Sequence, residues 1–103
     1  FAERVNGNFT LRRGFKINKG QKILIVEDVI TTGKSSLECS KLIKKENAEI
    51  IGYACIIDRS NGKSKIDEKI VSQIEIEIPT YKKENLPKHL QNIKPIKPGS
   101  RSL

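Results

Sequence analysis

Glu27 and Asp28 stand directly ahead of Val29, Ile30, Thr31, Thr32, Gly33, Lys34 and Ser35, so carboxylates, hydroxyls, a glycine and an amine crowd into one short segment. Such a set suits a phosphorylated sugar. If the segment turns from a strand into a helix, its backbone N–H groups and the positive end of the helix dipole hold a phosphate. The hydroxyls of Thr31, Thr32 and Ser35 add to that hold. Carboxylates at the strand end accept hydrogen bonds from vicinal ribose hydroxyls. Gly33-Lys34-Ser35 matches the end of a triphosphate-binding P-loop, but that loop requires a glycine five positions before Gly33, where this chain has Asp28. The alternative is structural: Glu27-Asp28 simply leaves the strand, and the Thr/Ser cluster caps a helix, an ordinary arrangement in α/β domains.

The elements that must position these groups follow from the apolar pattern. Ile23-Leu24-Ile25-Val26 is continuous and rich in β-branched residues, as in a central parallel strand covered on both faces. It is expected to end at Glu27-Asp28. Residues 35–47 have helical spacing, with Cys39, Leu42 and Ile43 sharing a face with Ser35 or Ser36 and with Lys41, Lys44, Lys45 and Glu46 on the wet side. Residues 50–57 form a second apolar strand, which makes strand, helix and strand one βαβ unit. Arg59 follows that strand and therefore emerges on the same sheet edge as the loop, where a guanidinium can fork onto a carboxylate; its bland reading is a surface arginine in a turn. Ile74-Glu75-Ile76-Glu77-Ile78 alternates as a half-exposed strand near the sheet edge, and Pro79 stops it. Asn6-Gly7 between Arg4-Val5 and Phe9-Thr10-Leu11 predicts a short hairpin. Three regions result: a hairpin loop over 1–15, an α/β core over 16–81, and an irregular tail over 82–103 holding at most one short helix near 85–91.

The totals exclude some classes. The 103 residues suffice for one domain, which at this size buries about two thirds of its unfolded surface. The opening on Phe1, with no initiator Met, gives the expectation of a fragment. No stretch approaches the roughly 20 apolar residues of a membrane span and no signal-peptide pattern is present, so a soluble cytoplasmic protein without a membrane partner is expected. Cys39 and Cys55 have no CxxC spacing and read as buried reduced thiols. The net charge of +8, from 20 Lys and Arg against 12 Asp and Glu, favours polyanionic partners. Its lysines are spread in pairs such as Lys44-Lys45 and Lys82-Lys83, and few aromatics are present for stacking, so nucleic acid is not an expected partner.

The string from Ile25 through Val26, Glu27, Asp28, Val29, Ile30, Thr31, Thr32, Gly33 and Lys34 to Ser35 resembles the phosphoribosyl pyrophosphate motif of type I phosphoribosyltransferases, and most closely that of the orotate-using members. Phe1-Ala2-Glu3-Arg4, Leu11-Arg12-Arg13-Gly14-Phe15, Asp58-Arg59-Ser60, Pro79-Thr80-Tyr81 and Lys97-Pro98-Gly99-Ser100-Arg101 extend the resemblance along nearly the whole chain, while 63–71 carries no distinctive motif. The resemblance implies an α/β type I phosphoribosyltransferase fold, a Rossmann-like parallel sheet with flanking helices, incomplete here because the N-terminal half is absent. It implies transfer of the 5-phosphoribosyl group from phosphoribosyl pyrophosphate to orotate, with Mg²⁺ as cofactor and no protein side chain assigned as metal ligand. It also implies a homodimer in which the opening segment is a mobile loop closing over the neighbouring subunit's site.

By the same resemblance Asp28 and Arg4 are catalytic, and the binding segment for phosphoribosyl pyrophosphate comprises Glu27, Asp28, Val29, Ile30, Thr31, Thr32, Gly33, Lys34 and Ser35. Within it Glu27 and Asp28 take ribose hydroxyls and 31–35 takes the 5′-phosphate. Thr31 with Arg59 contacts orotate, and Arg4 touches pyrophosphate oxygens. The bland reading of Arg4, Arg12 and Arg13 is a solvated hairpin face. The chain departs from the family pattern in three places. Residues 5–10 hold neither the lysine nor the histidine common in the mobile loop; Lys34 replaces a small residue, either reaching phosphate or pointing outward; and Lys88-His89-Leu90-Gln91 lacks the cysteines of some relatives, leaving His89 as a surface residue. Two other readings stand beside the transferase: a phosphoribosyl pyrophosphate-sensing regulator of the same fold, suited by the positive charge, and a purine-base phosphoribosyltransferase, which does not account for the FAER opening or the KPGSR ending. Alone, the 103 residues are expected to leave apolar surface open and to behave poorly.

Overall fold

The computed structural model describes residues 1–12 and 14–96, so Arg13 and the Lys97-Pro98-Gly99-Ser100-Arg101 motif lie outside the described residues. Strands β1 (Ala2–Val5) and β2 (Asn8–Leu11) pair antiparallel, with Val5 opposite Asn8. Asn6 and Gly7 both take positive φ, 49° and 82°, which is the geometry a two-residue hairpin turn needs and the reason Asn-Gly occupies it. The longer β3 (Lys22–Ile30) pairs in parallel with β4 (Glu49–Asp58), and α1 (Lys34–Lys45) forms the crossover between them. β5 (Ile70–Glu75) pairs in parallel with the far side of β4, giving the sheet order β3-β4-β5.

α1 covers one face of this sheet. The core beneath it consists of Ile25, Ile30, Ile43, Tyr53, Cys55 and Ile66, all buried. The helix reaches the sheet with small residues: Ser36 and Ser40 are buried beside Ile43, whereas Leu42 is only partly covered. The Ser40 hydroxyl donates to the Leu37 carbonyl at 2.9 Å. Lys44 and Lys45 fill the last turn, where cations oppose the negative end of the helix dipole.

Three expectations are corrected. β3 does not stop at Glu27-Asp28, because parallel pairing with β4 continues through Val29 opposite Ile57 to Ile30 opposite Asp58. Nor is β3 central or covered on both faces: it is an edge of the described β3-β4-β5 sheet, and Leu24 is 50% and Val26 68% exposed, because no described element packs on the side away from α1. The edge strand begins at Ile70 rather than Ile74. Its partner β4 offers pairing positions from Tyr53 to Asp58, so the alternating Ile74-Glu75-Ile76-Glu77-Ile78 overruns the end of β4. Only the Ile76 amide still reaches back, to the Asp58 carbonyl at 2.9 Å. Two isolated 3₁₀ turns, Lys83–Asn85 and Lys88–Leu90, stand in the tail where one short helix is expected. No helix among the described residues is long and apolar enough to cross a membrane.

Candidate active site

β3, the loop after it and the first turn of α1 bring most of the predicted residues together. Gly33 caps the N-terminus of α1 with φ 75° and ψ 3°, a left-handed conformation that glycine adopts without strain, and no side chain caps the helix. The N-cap itself is therefore a glycine and not one of the Thr/Ser cluster. Thr32 Oγ1 only accepts from the Lys34 amide at 3.3 Å, while Thr31 and Ser35 remain exposed. No acidic residue occupies the first helical turn, so the positive end of the dipole is left for an anion. A small hollow of 40 Å³ lies here, lined by Glu27, Thr31, Thr32, Lys34, Ser35 and Ser36 together with Val29, Ile30 and Gly33.

Because β3 runs on to Ile30, the two carboxylates sit inside a strand, where successive side chains leave on opposite faces. Glu27 points to the helix side, and its Oε1 accepts a hydrogen bond from the buried Ser36 hydroxyl at 3.0 Å. Asp28 is exposed, and its Oδ1 accepts from the neighbouring Val29 amide at 2.7 Å. Both carboxylates border a larger cleft of 570 Å³ between β3 and the hairpin, whose walls include Phe1, Phe9, Phe15 and Cys39. Burial, followed by the charge of Glu27, pushes the Cys39 thiol above its ordinary value, so it is held as the neutral thiol. Both cysteines are free; Cys55 is buried as read from the sequence, whereas Cys39 is only partly so.

The second wall of the loop comes from the segment after β4, of which sequence reading singled out Arg59 and Ser60 but found no motif in 63–66. The Arg59 amide donates to the Ile30 carbonyl at 2.8 Å and the Lys65 amide to the Thr32 carbonyl at 3.0 Å. Ser64 and Ile66 close over Gly33 so tightly that a Cβ there would meet Ser64 Oγ at 2.6 Å and Ile66 Cγ1 at 2.8 Å. Arg59 thus stands beside the loop, and its Nε, together with Ser60 Oγ, is buried without a hydrogen-bond partner. Buried polar atoms are nearly always satisfied, so the Arg59 Nε–H and the Ser60 hydroxyl stand out as unused hydrogen-bonding groups just after β4.

Arg4 lies elsewhere. Its guanidinium pairs with Glu38 on α1, donates to the Gly7 carbonyl at 2.8 Å and stacks over the Phe9 ring at 4.8 Å. Lys34 Nζ approaches the same Glu38 carboxylate at 4.0 Å and is otherwise exposed, so of its two readings the outward one describes this structure. Arg12 pairs with Glu3 across the hairpin at 2.8 Å. Sequence reasoning missed Ser36, Glu38 and the 63–66 segment. Ser36 meets Glu27 9 positions away and Glu38 meets Arg4 34 positions away, and no local motif announces either contact.

The fold agrees with what comparison with known proteins finds. The phosphoribosyl transferase domain family matches residues 2–92, and the chain belongs to that family. Orotate phosphoribosyltransferase of Parvibaculum lavamentivorans is 47% identical over 103 residues, covering 100% of this chain and 53% of the relative. Orotate phosphoribosyltransferase of Methylorubrum populi is 49% identical over 104 residues, with the same coverage of 100% and 53%. The chain spans about half the length of the curated relatives it matches. Among solved structures, adenine phosphoribosyltransferase from Leishmania donovani superposes with a TM-score of 0.51 at 24% identity, covering 65% of this chain and 33% of that one; a likeness of this degree bears on the fold alone.

Proposed function

We propose that the protein carrying this chain transfers the 5-phosphoribosyl group from phosphoribosyl pyrophosphate to orotate, releasing pyrophosphate and forming orotidine 5′-monophosphate in cytoplasmic pyrimidine biosynthesis. The observation that carries this reading is the N-terminus of α1 at Gly33, which no side chain caps and which shares a hollow with Glu27, Thr31, Thr32 and Ser35. The names of the relatives that match the chain along its whole length support orotate as the acceptor.

In this reading the amides and hydroxyls of 31–35 hold the 5′-phosphate at the positive end of α1, and Glu27 and Asp28 hold the ribose hydroxyls. Arg59 forks onto the orotate carboxylate, with Thr31 as a second contact. The bond from the anomeric carbon to pyrophosphate breaks with its electrons leaving on oxygen, while a ring nitrogen of orotate supplies the pair for the new bond and loses its N–H proton to the solvent. Positive charge developing on the ribose is stabilised by the carboxylates, and Arg4 neutralises the leaving group. The hairpin 1–15 serves as a closing loop, in the dimer proposed here over the neighbouring subunit's site, which requires Arg4 to leave Glu38. Mg²⁺ in such sites is held largely by substrate phosphates and water with one or two carboxylates, and Glu27 and Asp28 supply hard oxygen donors of that kind. When bound, it neutralises phosphate charge.

The test is orotate-dependent pyrophosphate release by the protein as the organism makes it, beside an Asp28→Asn variant. The amide keeps the shape and removes the charge, so kcat/KM is expected to fall about a hundredfold. No turnover, with binding of phosphoribosyl pyrophosphate retained, replaces the transferase reading with a sensor of that metabolite.

A further inference from the structure

We propose that Ser36 is a positioning residue for Glu27: its hydroxyl fixes the carboxylate in the orientation that receives the ribose hydroxyls of the phosphoribosyl donor. The inference rests on the reading of the loop given above and assigns a role to a residue outside the 27–35 motif.

Ser36 is 1% exposed and lies in the first turn of α1, so its hydroxyl cannot turn to water. A buried hydroxyl needs a partner, and the partner here is Glu27 Oε1 at 3.0 Å. The bond joins β3 to α1 across the loop between them, tying together the two elements that carry the sugar-binding and phosphate-binding groups. A glutamate on a strand has three side-chain torsions and many rotamers; a donor held in a packed helix leaves it few. The carboxylate keeps capacity for a ligand, since Ser36 occupies one of about four lone-pair sites. Asp28 has no such tie to α1. It bonds the amide of its own neighbour, so the loop presents one carboxylate locked to the helix and one governed by local backbone.

The experiment is a double-mutant cycle of Ser36→Ala with Glu27→Gln on the protein as the organism makes it, read by initial rates against phosphoribosyl pyrophosphate and against orotate. Ser36→Ala is expected to lower kcat/KM for phosphoribosyl pyrophosphate about tenfold, the size of effect a hydrogen bond to a charged group carries, and to leave the KM for orotate unchanged. Ser36→Thr, which keeps the hydroxyl, is expected to restore most of the loss. In the Glu27→Gln background Ser36→Ala is expected to have little further effect, because the two act through one carboxylate. A loss of equal size in both backgrounds, or ordinary kinetics for Ser36→Ala, overturns the assignment. Should Ser36→Ala fail to fold, Ser36→Cys keeps the volume with a weak donor, and the same outcomes apply to it.

Calorimetric binding of phosphoribosyl pyrophosphate separates this inference from the transferase reading. If the unsubstituted protein releases no pyrophosphate with orotate, the transferase reading falls. About tenfold weaker donor binding by Ser36→Ala would still carry the positioning role, and unchanged donor binding would overturn it.

Discussion

Gly33 is required twice over: by its φ of 75° and by the absence of room for a Cβ between Ser64 Oγ and Ile66. A Gly33→Ala change combines left-handed strain with a clash against the Ser64 and Ile66 side chains, so we expect it to lower stability by about 2 kcal/mol in urea denaturation. It should also displace the loop enough to weaken phosphoribosyl pyrophosphate binding at least tenfold in calorimetry. Unchanged binding would mean that the 60–66 segment does not set the shape of the loop. The glycine itself is legible in the sequence as part of the motif. What crowds it is not, because Ser64 and Ile66 are 31 and 33 positions further on in the numbering. The same distance hides the orientation of Glu27 and Asp28. As neighbours they read as a pair, yet in a strand that continues to Ile30 they part to opposite faces.

The hairpin is held to α1 mainly at Glu38, which receives Arg4 and stands near Lys34. Both cations are substantially solvated, with side-chain exposures of 42% and 78%, so the pairs contribute little to stability. Their consequence is positional. A Glu38→Gln substitution is expected to change the unfolding free energy by less than about 1 kcal/mol, yet to speed amide hydrogen exchange in residues 2–11, since a hairpin of two strands is marginal by itself. Exchange that stays at its original rate would place the anchor of the hairpin in the contacts of Phe9 rather than in the ion pair. The hairpin was legible because Asn6-Gly7 determines its own turn. The start of β5 was not, since a period-2 pattern announces a strand without stating where its partner ends.

The chain as a whole is extended for its size. Its radius of gyration is 16.7 Å, against about 13 Å for a compact domain of this length. Its accessible surface is 8739 Å², against about 5,800 Å² for a folded monomer of this mass. The excess includes the sheet face away from α1, where Leu24, Val26, Ile51, Ile56 and Val71 are each at least half exposed. One face of a three-stranded parallel sheet left in water is unusual, because such sheets are normally covered on both sides. We expect the isolated 103 residues to self-associate and to bind a hydrophobic dye, with Val26→Thr plus Val71→Thr reducing both in light scattering and fluorescence. A monomeric, dye-free sample that unfolds cooperatively would contradict this.

Sequence alone determined the features that are local. These are the βαβ rhythm, the hairpin turn, the chemistry gathered in 27–35, and the placing of Arg59 on the same sheet edge, which follows from parallel topology. Each depends on residues within a few positions of one another, or on a handedness rule that holds across folds. Only the tertiary structure decided which way each carboxylate faces, that Ser36 holds Glu27, that Arg4 rests on Glu38, and that 60–66 walls the loop. Those outcomes depend on strand register and on how closely α1 approaches the sheet, distances set by the whole packed assembly and written in no single stretch of chain.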